Sequence, residues 1–359
     1  MQQRTIKFTS REGMDFHREL RERVNQYFKG KGLSKNAPRI VWLKTAVMIS
    51  LYVLPFVAAQ VFFADSPILY ILMFVLMGLG MAGIGMNVTH DANHGSLSRN
   101  RRVNRLLGSL LYLIGVDKAT WQQEHNVEHH TFTNIPGHDT DISVPIILRF
   151  STEQKRLGIH RLQHVYAWFL YSLITLRWAT IGDFVRLRKN QREDPQPDYG
   201  KKVLQLAGWK LSYHLYIWII PVLLFGVTLG PALLAVLIMH LVASTIMGII
   251  FQTAHAMPEC AFPIPDEANR IESSWAVHQM ETTCNYALNG PRFSWFVGGL
   301  NYQIEHHLFP NISHYHYPQI SKIVQATAEK YGVPYRTYRT FLDALRAHRN
   351  FLKQLGTEG

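Results

Sequence analysis

Cysteine is nearly missing from this chain: Cys260 and Cys284 are the only two in 359 residues. They form no CxxC pair, which excludes a thiolate zinc site and argues against a disulfide framework; two buried free thiols in a reducing compartment are expected. Basic residues are plentiful but have long gaps. None of the 37 Lys and Arg falls in 45–98 or in 211–269; 11 lie in 1–44, 17 in 99–210 and 9 in 270–359. A nucleic-acid binder could share the formal charge of +12, but not this distribution. Basic loops bracketing membrane spans produce it, so a lipid bilayer and no nucleic acid is the expected surrounding. A cleavable leader is not expected either, since charges continue to Lys44 and no small-residue site follows a short apolar core.

The gaps in charge hold four apolar runs, at about 45–63, 68–88, 211–228 and 232–255. Each approaches the roughly 20 residues that cross a bilayer as a helix. The first two are joined by Ala64-Asp65-Ser66-Pro67 and the last two around Gly230-Pro231, giving two helical hairpins. Two other apolar stretches read as interfacial helices: 103–116 is too short to span, and 160–181 carries Arg161 and Arg177. Phe16, Leu20, Val24 and Tyr27 recur at helical spacing in a polar N-terminal segment. Residues 190–200 read as a polar loop, and 320–356 as two polar helices interrupted at Gly332-Val333-Pro334. The expected fold is an all-α integral membrane protein with four transmembrane helices and a soluble helical cap.

Three histidine boxes supply the chemistry: His90-x-x-x-His94, His125-x-x-x-His129-His130 and Gln303-x-x-His306-His307. Residues four apart share a helix face, so each of the first two boxes aims two imidazoles at one point. Seven histidines exceed the four ligands of a tetrahedral zinc, and two adjacent metals are the simplest reading. Imidazole suits iron, copper, nickel and zinc alike. With the basic side taken as cytoplasm, four crossings bring both termini and all three boxes to that one side.

The text around these boxes, HDANH, HNVEHHTFTNIPGHDTDI and NYQIEHHLFPNISHYHYP, resembles the membrane fatty-acid desaturases, in particular their front-end, delta-6-like branch. The resemblance covers about residues 40–335. It implies a four-helix membrane stalk under a cytosolic cap holding a di-iron centre; outside the matched stretch, 1–39 reads by its own residues as a cytosolic amphipathic segment and 336–359 as a cytosolic C-terminal helix. It implies His90, His94, His125, His129, His130, His306 and His307 as iron ligands, and His255 at the end of the fourth span as another. Gln303 stands where other branches have histidine, leaving direct, water-mediated or no contact with iron open. Asp91, Asp139 and Asp141 are candidates to orient ligating imidazoles. His138, His278, His314 and His316 complete no box and read as structural or supporting, and Trp121, Trp275 and Trp295 as core.

The implied reaction is O2-dependent insertion of a cis double bond into a long-chain acyl-CoA or acyl-lipid. Unactivated C–H bonds offer no useful acidity, so the chemistry falls to the two irons and the histidines serve as ligands rather than bases. No His-Pro-Gly-Gly haem segment of a fused cytochrome b5 occurs, and a separate donor is expected, ferredoxin or cytochrome b5 with its reductase. Arg99, Arg101, Arg102 and Arg105 either meet an acidic donor or anchor the membrane face. A di-iron hydroxylase or ketolase of the same superfamily would carry the same boxes. A membrane metal transporter would instead need ionisable residues along its spans, where His214 and His240 are nearly the only candidates.

Overall fold

A computed structural model describes residues 6–10, 13–142 and 146–358. Among them three helices are long and apolar enough to cross a membrane: Arg39–Phe62, Pro67–Asn93 and Leu229–His255. Pro67 sits in the first helical turn, where its missing N–H costs no hydrogen bond. Outward side chains such as Leu54, Phe62, Ile68 and Leu233 are exposed, as lipid-facing residues should be. Inward ones, including Tyr52, Phe74, Met77, Met81 and Met239, form the largest core cluster. The central 67–93 helix packs closely on both neighbours because it offers glycine. A Cβ at Gly78 would lie 2.8 Å from the Met239 carbonyl oxygen, and one at Gly80 2.6 Å from the Tyr52 nitrogen.

The expected span at 211–228 is not among the three. It lies in a helical run over 199–224 that widens into a π turn at Leu215–Ile219. Polar and amphipathic residues dilute this run, and Lys210 is tied into a buried polar knot. Its Nζ donates to the carbonyls of Gly115 (2.8 Å) and Trp178 (2.6 Å) and pairs with the Asp183 carboxylate. At the other end of the run, Pro221 and Phe225 line a groove with Phe56 and Val61 of the first long helix. His240 is fully partnered, its Nε2 by the Tyr213 hydroxyl at 2.7 Å and its Nδ1 by the Thr175 hydroxyl at 2.9 Å. His214 accepts the indole N–H of Trp218 at 3.1 Å. Both are structural histidines, not steps on an ion path.

The stretch 103–116 forms two short helices, Arg101–Gly108 and Leu110–Leu113. The stretch 160–181 is broken into pieces around Gln163–Tyr171 and Ile174–Arg177 and is not among the long apolar helices. Met14–Gly30 buries Phe16, Leu20 and Val24 as its spacing predicts, but its last inward residue is Phe28 and not Tyr27. Position 28 lies one full turn beyond Val24, whereas Tyr27 turns aside and meets the Phe28 ring edge-on at 5.3 Å. This face packs on Tyr317, Ile320 and Val324 of Tyr317–Tyr331. Gly332 closes that helix in the left-handed conformation, φ 66°. Thr340 and Asp343 form a capping box that starts Phe341–Thr357. Two parallel pairs of two-residue strands complete the cap, Lys7–Phe8 with Arg270–Ile271 and Asn285–Tyr286 with Thr337–Tyr338. Cys260 and Cys284 are buried free thiols with their sulfurs 3.3 Å apart.

Candidate metal centre

Each box is delivered by a helix end, and two of those ends are π turns. The 67–93 helix widens at Ile84–Thr89 immediately before His90. Asn87 secures the widening, its amide donating to the Gly83 carbonyl (3.0 Å) and across to that of Phe296 (3.2 Å). The second box lies in a π turn, Gln122–His129, entered from Lys118–Trp121 and left through His130–Phe132. Asp117 caps its start by accepting the Thr120 N–H at 2.8 Å. The third box sits on Gln303–Leu308. Asn285 pins it by accepting the Ile304 N–H (3.0 Å) and donating to the Glu305 carboxylate (2.8 Å), which also accepts the Tyr335 hydroxyl at 3.0 Å. His255 arrives as the last residue of Leu229–His255.

All eight expected ligands come together. Ring nitrogens of His90, His94, His125 and His306 lie within 4.8 Å of one another, and so do those of His129, His255 and His307. His130 joins His306 and His307 in a third such group between them. Asp141 groups with His125 and His129, and Gln303, almost fully buried, lines the same cavity as His129 and His255.

The hydrogen bonds leave the inner nitrogens free. Nδ1 of His307 faces the Gln279 carbonyl oxygen (2.8 Å), that of His306 the Tyr317 hydroxyl (3.3 Å), that of His255 the Thr282 carbonyl (3.3 Å) and that of His129 the Asp139 carboxylate (3.1 Å). Donation from Nδ1 to such acceptors selects the tautomer with an unprotonated Nε2, the form a metal binds. Nε2 of His94, His130, His306 and His307 is buried with no hydrogen-bond partner. Nε2 of His90 and of His125 point at each other across 3.2 Å. So many buried orphan nitrogens aimed inward fit a metal cluster and fit little else. Burial, with neighbouring imidazoles adding to it, holds His94, His125, His130, His306 and His307 well below the ordinary histidine range, hence neutral. His129 differs: burial opposes its charge, but Asp141 and Asp139 raise it to about 9.

The three aspartates divide. Asp139 orients His129 while accepting the N–H groups of Asn134 (2.8 Å) and Asp141 (2.9 Å). Asp141 is 3.4 Å from the same Nδ1 with a side chain 38% exposed. One oxygen of Asp91 accepts from His314 Nδ1 at 2.8 Å while the other lies 3.9 Å from His90 Nδ1, and Lys44 Nζ meets the other nitrogen of His314 at 3.1 Å. His314 is thus one layer out. His138 lies against Phe132, His278 against Phe8 and His316 against Phe28, and none of the three joins the cluster.

The tryptophans also divide. Trp295 is 44% exposed under the Lys44 ammonium, 4.8 Å from its ring centre, and does not fill the core. Trp275 donates its indole N–H to the His130 carbonyl at 3.3 Å. Trp121 stacks on His125 with ring centres 4.6 Å apart. With Trp178, Phe251 and Leu300 it forms the apolar wall of a cavity of about 50 Å³ whose other side is His125, His129, His255 and His306. Sequence reading missed Gln279 and Tyr317. Nothing local marks them, since they reach the boxes only through the fold.

The profile of the fatty acid desaturase family matches residues 65–339. Among curated proteins, the chain is 35% identical to an sn-1 linoleoyl-lipid 6-desaturase of Synechocystis sp., over 98% of each chain. It is 34% identical to the protein of the same name from Arthrospira platensis, over 98% of this chain and 95% of that one. It is 35% identical to an acyl-lipid (8-3)-desaturase of Physcomitrium patens, over 98% of this chain and 74% of that one. On the match of its profile and on full-length likeness at this identity, the chain belongs to the fatty acid desaturase family.

Proposed function

We propose that the protein is a di-iron acyl-lipid desaturase of the front-end kind, which uses O2 to place a cis double bond between an existing double bond and the carboxyl end of a long acyl chain. The observation that supports this most is the convergence of eight imidazoles into adjacent groups beside an apolar wall. The likeness to linoleoyl-lipid 6-desaturases turns the reading toward lipid-bound acyl chains and the front-end position. All the relatives named above are desaturases, which disfavours a hydroxylase or ketolase. The fully partnered His240 disfavours an ion pathway.

In this reading His90, His94 and His125 hold one iron and His129, His255 and His307 the other, with His130 and His306 between them. The bound irons supply, with O2 and two electrons, the oxidising power that unactivated methylenes require. The remaining work belongs to the chain's own residues. Asp139, Gln279, Tyr317 and the Thr282 carbonyl fix the ring planes and tautomers. Trp121, Trp178, Phe251 and Leu300 exclude water and hold a methylene pair against the histidines. Asp141 and Gln303 adjoin the second group as further ligands or as partners of bound water.

Four crossings suit this arrangement better than three. His90 ends one long helix and His255 another, and their rings meet in one centre, so the chain must return across the membrane between residues 94 and 229. The 199–224 run, from Lys210 at the cap to Pro221 and Phe225 beside Val61, has the length and position to do so. Both termini and the centre then lie on the cytoplasmic side. Expression in a host of known lipid composition, fed linoleate, tests the function. A new double bond located on the carboxyl side of the existing ones is expected. A hydroxylated product without a new alkene would refute desaturation.

A further inference from the structure

Two sizeable cavities among the described residues of the cap are of opposite character. One, about 480 Å³, is acid-lined, with Asp117, Glu128, Glu193 and Asp194 against the single cation Lys202. The other, about 440 Å³, opens between the first box and the 101–108 helix. Its rim carries Arg101, Arg105 and Lys118, no carboxylate lines it, and its floor includes Asn93, Gln122 and His94. Arg99 and Arg102 are exposed beside it, and Leu106 on the same short helix is 71% exposed. That pattern sets the basin at the membrane surface with its cations facing the cytoplasm. His94 is the one candidate ligand in its lining. One side of the His94 ring meets the basin, and its buried Nε2 points at the centre without a partner.

We infer that this basin is where a small protein carrier with an acidic face docks and delivers electrons, over His94, to the metal centre. The inference rests on the reading of the centre as an oxygen-dependent desaturase. The balance is R–CH2–CH2–R′ + O2 + 2 e⁻ + 2 H⁺ → R–CH=CH–R′ + 2 H2O. The substrate loses two electrons with its two hydrogens, two one-electron carriers are oxidised, and oxygen takes all four electrons. The acid-lined cavity would repel an acidic carrier, while the basic basin attracts one and steers its approach. Docking there leaves no further side chain to intervene, since His94 in the basin's lining belongs to the centre itself. A membrane anchor made of the same cations would have no use for a ligand in its floor.

Zero-length carbodiimide cross-linking of the metal-loaded enzyme in neutral-lipid nanodiscs tests this, with a soluble cytochrome b5 domain and a ferredoxin as the two probes. A cross-link from a carrier carboxylate to Lys118, the only amine in the basin, is expected with at least one probe, lost in high salt. An Arg101→Glu/Arg105→Glu enzyme should lose it and show an apparent KM for the carrier raised roughly tenfold or more, with the KM for acyl lipid unchanged. Arg349→Glu, an exposed charge reversal elsewhere on the cap, should behave as wild type. Cross-links mapping elsewhere while Lys118 stays free, or a cross-link abolished by substituting anionic lipid in the disc, would overturn docking at this basin. Lipid analysis of the same discs reports separately whether the enzyme desaturates at all.

Discussion

Nδ1 of His129 lies 3.1 Å from Oδ1 of Asp139, and both side chains are buried. Both Asp139 oxygens face that nitrogen, the second at 3.2 Å, and the carboxylate is itself held by two backbone N–H groups, so the imidazole has one orientation. Asp139→Asn keeps the shape but removes the charge and permits the wrong tautomer. We predict metal affinity lowered about 10–100-fold, read by titrating metal into chelator-stripped enzyme. Wild-type affinity in this variant would show that Asp139 is only a structural acid.

The same pair sets opposite pH trends for the empty and the loaded enzyme. His129 is raised from 6.5 to about 9 without metal. Its raised value stabilises the metal-free fold fully below about 6.5, and that contribution is lost as pH rises through about 9. Metal binding must displace the proton, so affinity should climb over the same interval. Thermal melts of stripped enzyme and metal titrations, both from pH 6 to 9, check the two signs. Parallel trends would contradict the assignment.

Single-ligand variants should differ in stoichiometry. His255 belongs only to the group with His129 and His307, whereas His306 belongs to two groups. His255→Ala is expected to keep part of the metal that wild type holds, and His306→Ala to lose nearly all of it. Metal analysis by mass spectrometry under iron-replete expression decides. Equal losses in both variants would mean that the groups do not fill separately.

Lys210 is buried with Asp183 and two carbonyls, and Asp183 also accepts the Asp117 N–H at 2.8 Å. Lys210→Met strands that carboxylate. A destabilisation of about 3–5 kcal/mol is expected for a buried pair broken on one side, seen as a lower melting temperature in detergent. Lys210→Met/Asp183→Leu should recover part of it. An unchanged melt for the single variant would show that the pair contributes nothing.

Introduced cysteines test topology against a low background, since Cys260 and Cys284 are both buried. In the four-span topology proposed above, Asp65 and Gly230 mark the far ends of the two hairpins and should be labelled from outside the cell. On the C-terminal helix Lys353 serves and Gly356 does not, because a Cβ there would fall 2.0 Å from the His160 carbonyl oxygen. Lys353→Cys should react only after the membrane is opened. Labelling of intact cells at that position would reverse the orientation.

What could be read from the sequence was what lies close together along the chain. The box spacings sufficed to name His90 and His94, and the charge gaps sufficed to place three long helices. Longer-range relations stayed hidden. Asp91 reads as a partner for its own box and one oxygen does lie 3.9 Å from His90, but its hydrogen bond goes to His314, 223 residues away. Gln279 touches no motif in sequence and holds His307 only because the cap folds it there. Trp295 looks like core by residue type and is an exposed platform for Lys44. The 211–228 run has a span's length, but Lys210 anchors its start in polar partners that no hydropathy pattern announces.

The π turn at Gln122–His129 makes the second box intolerant of changes in length. A π turn holds one residue more than the α turn it replaces. Removing the surplus residue between His125 and His129 would let the turn tighten into an ordinary helix without rotating the residues beyond it, but it would cut the spacing within the box from four residues to three. The two imidazoles would then no longer present the same pair of nitrogens to the centre. The surplus residue therefore acts as a length gauge for the second box.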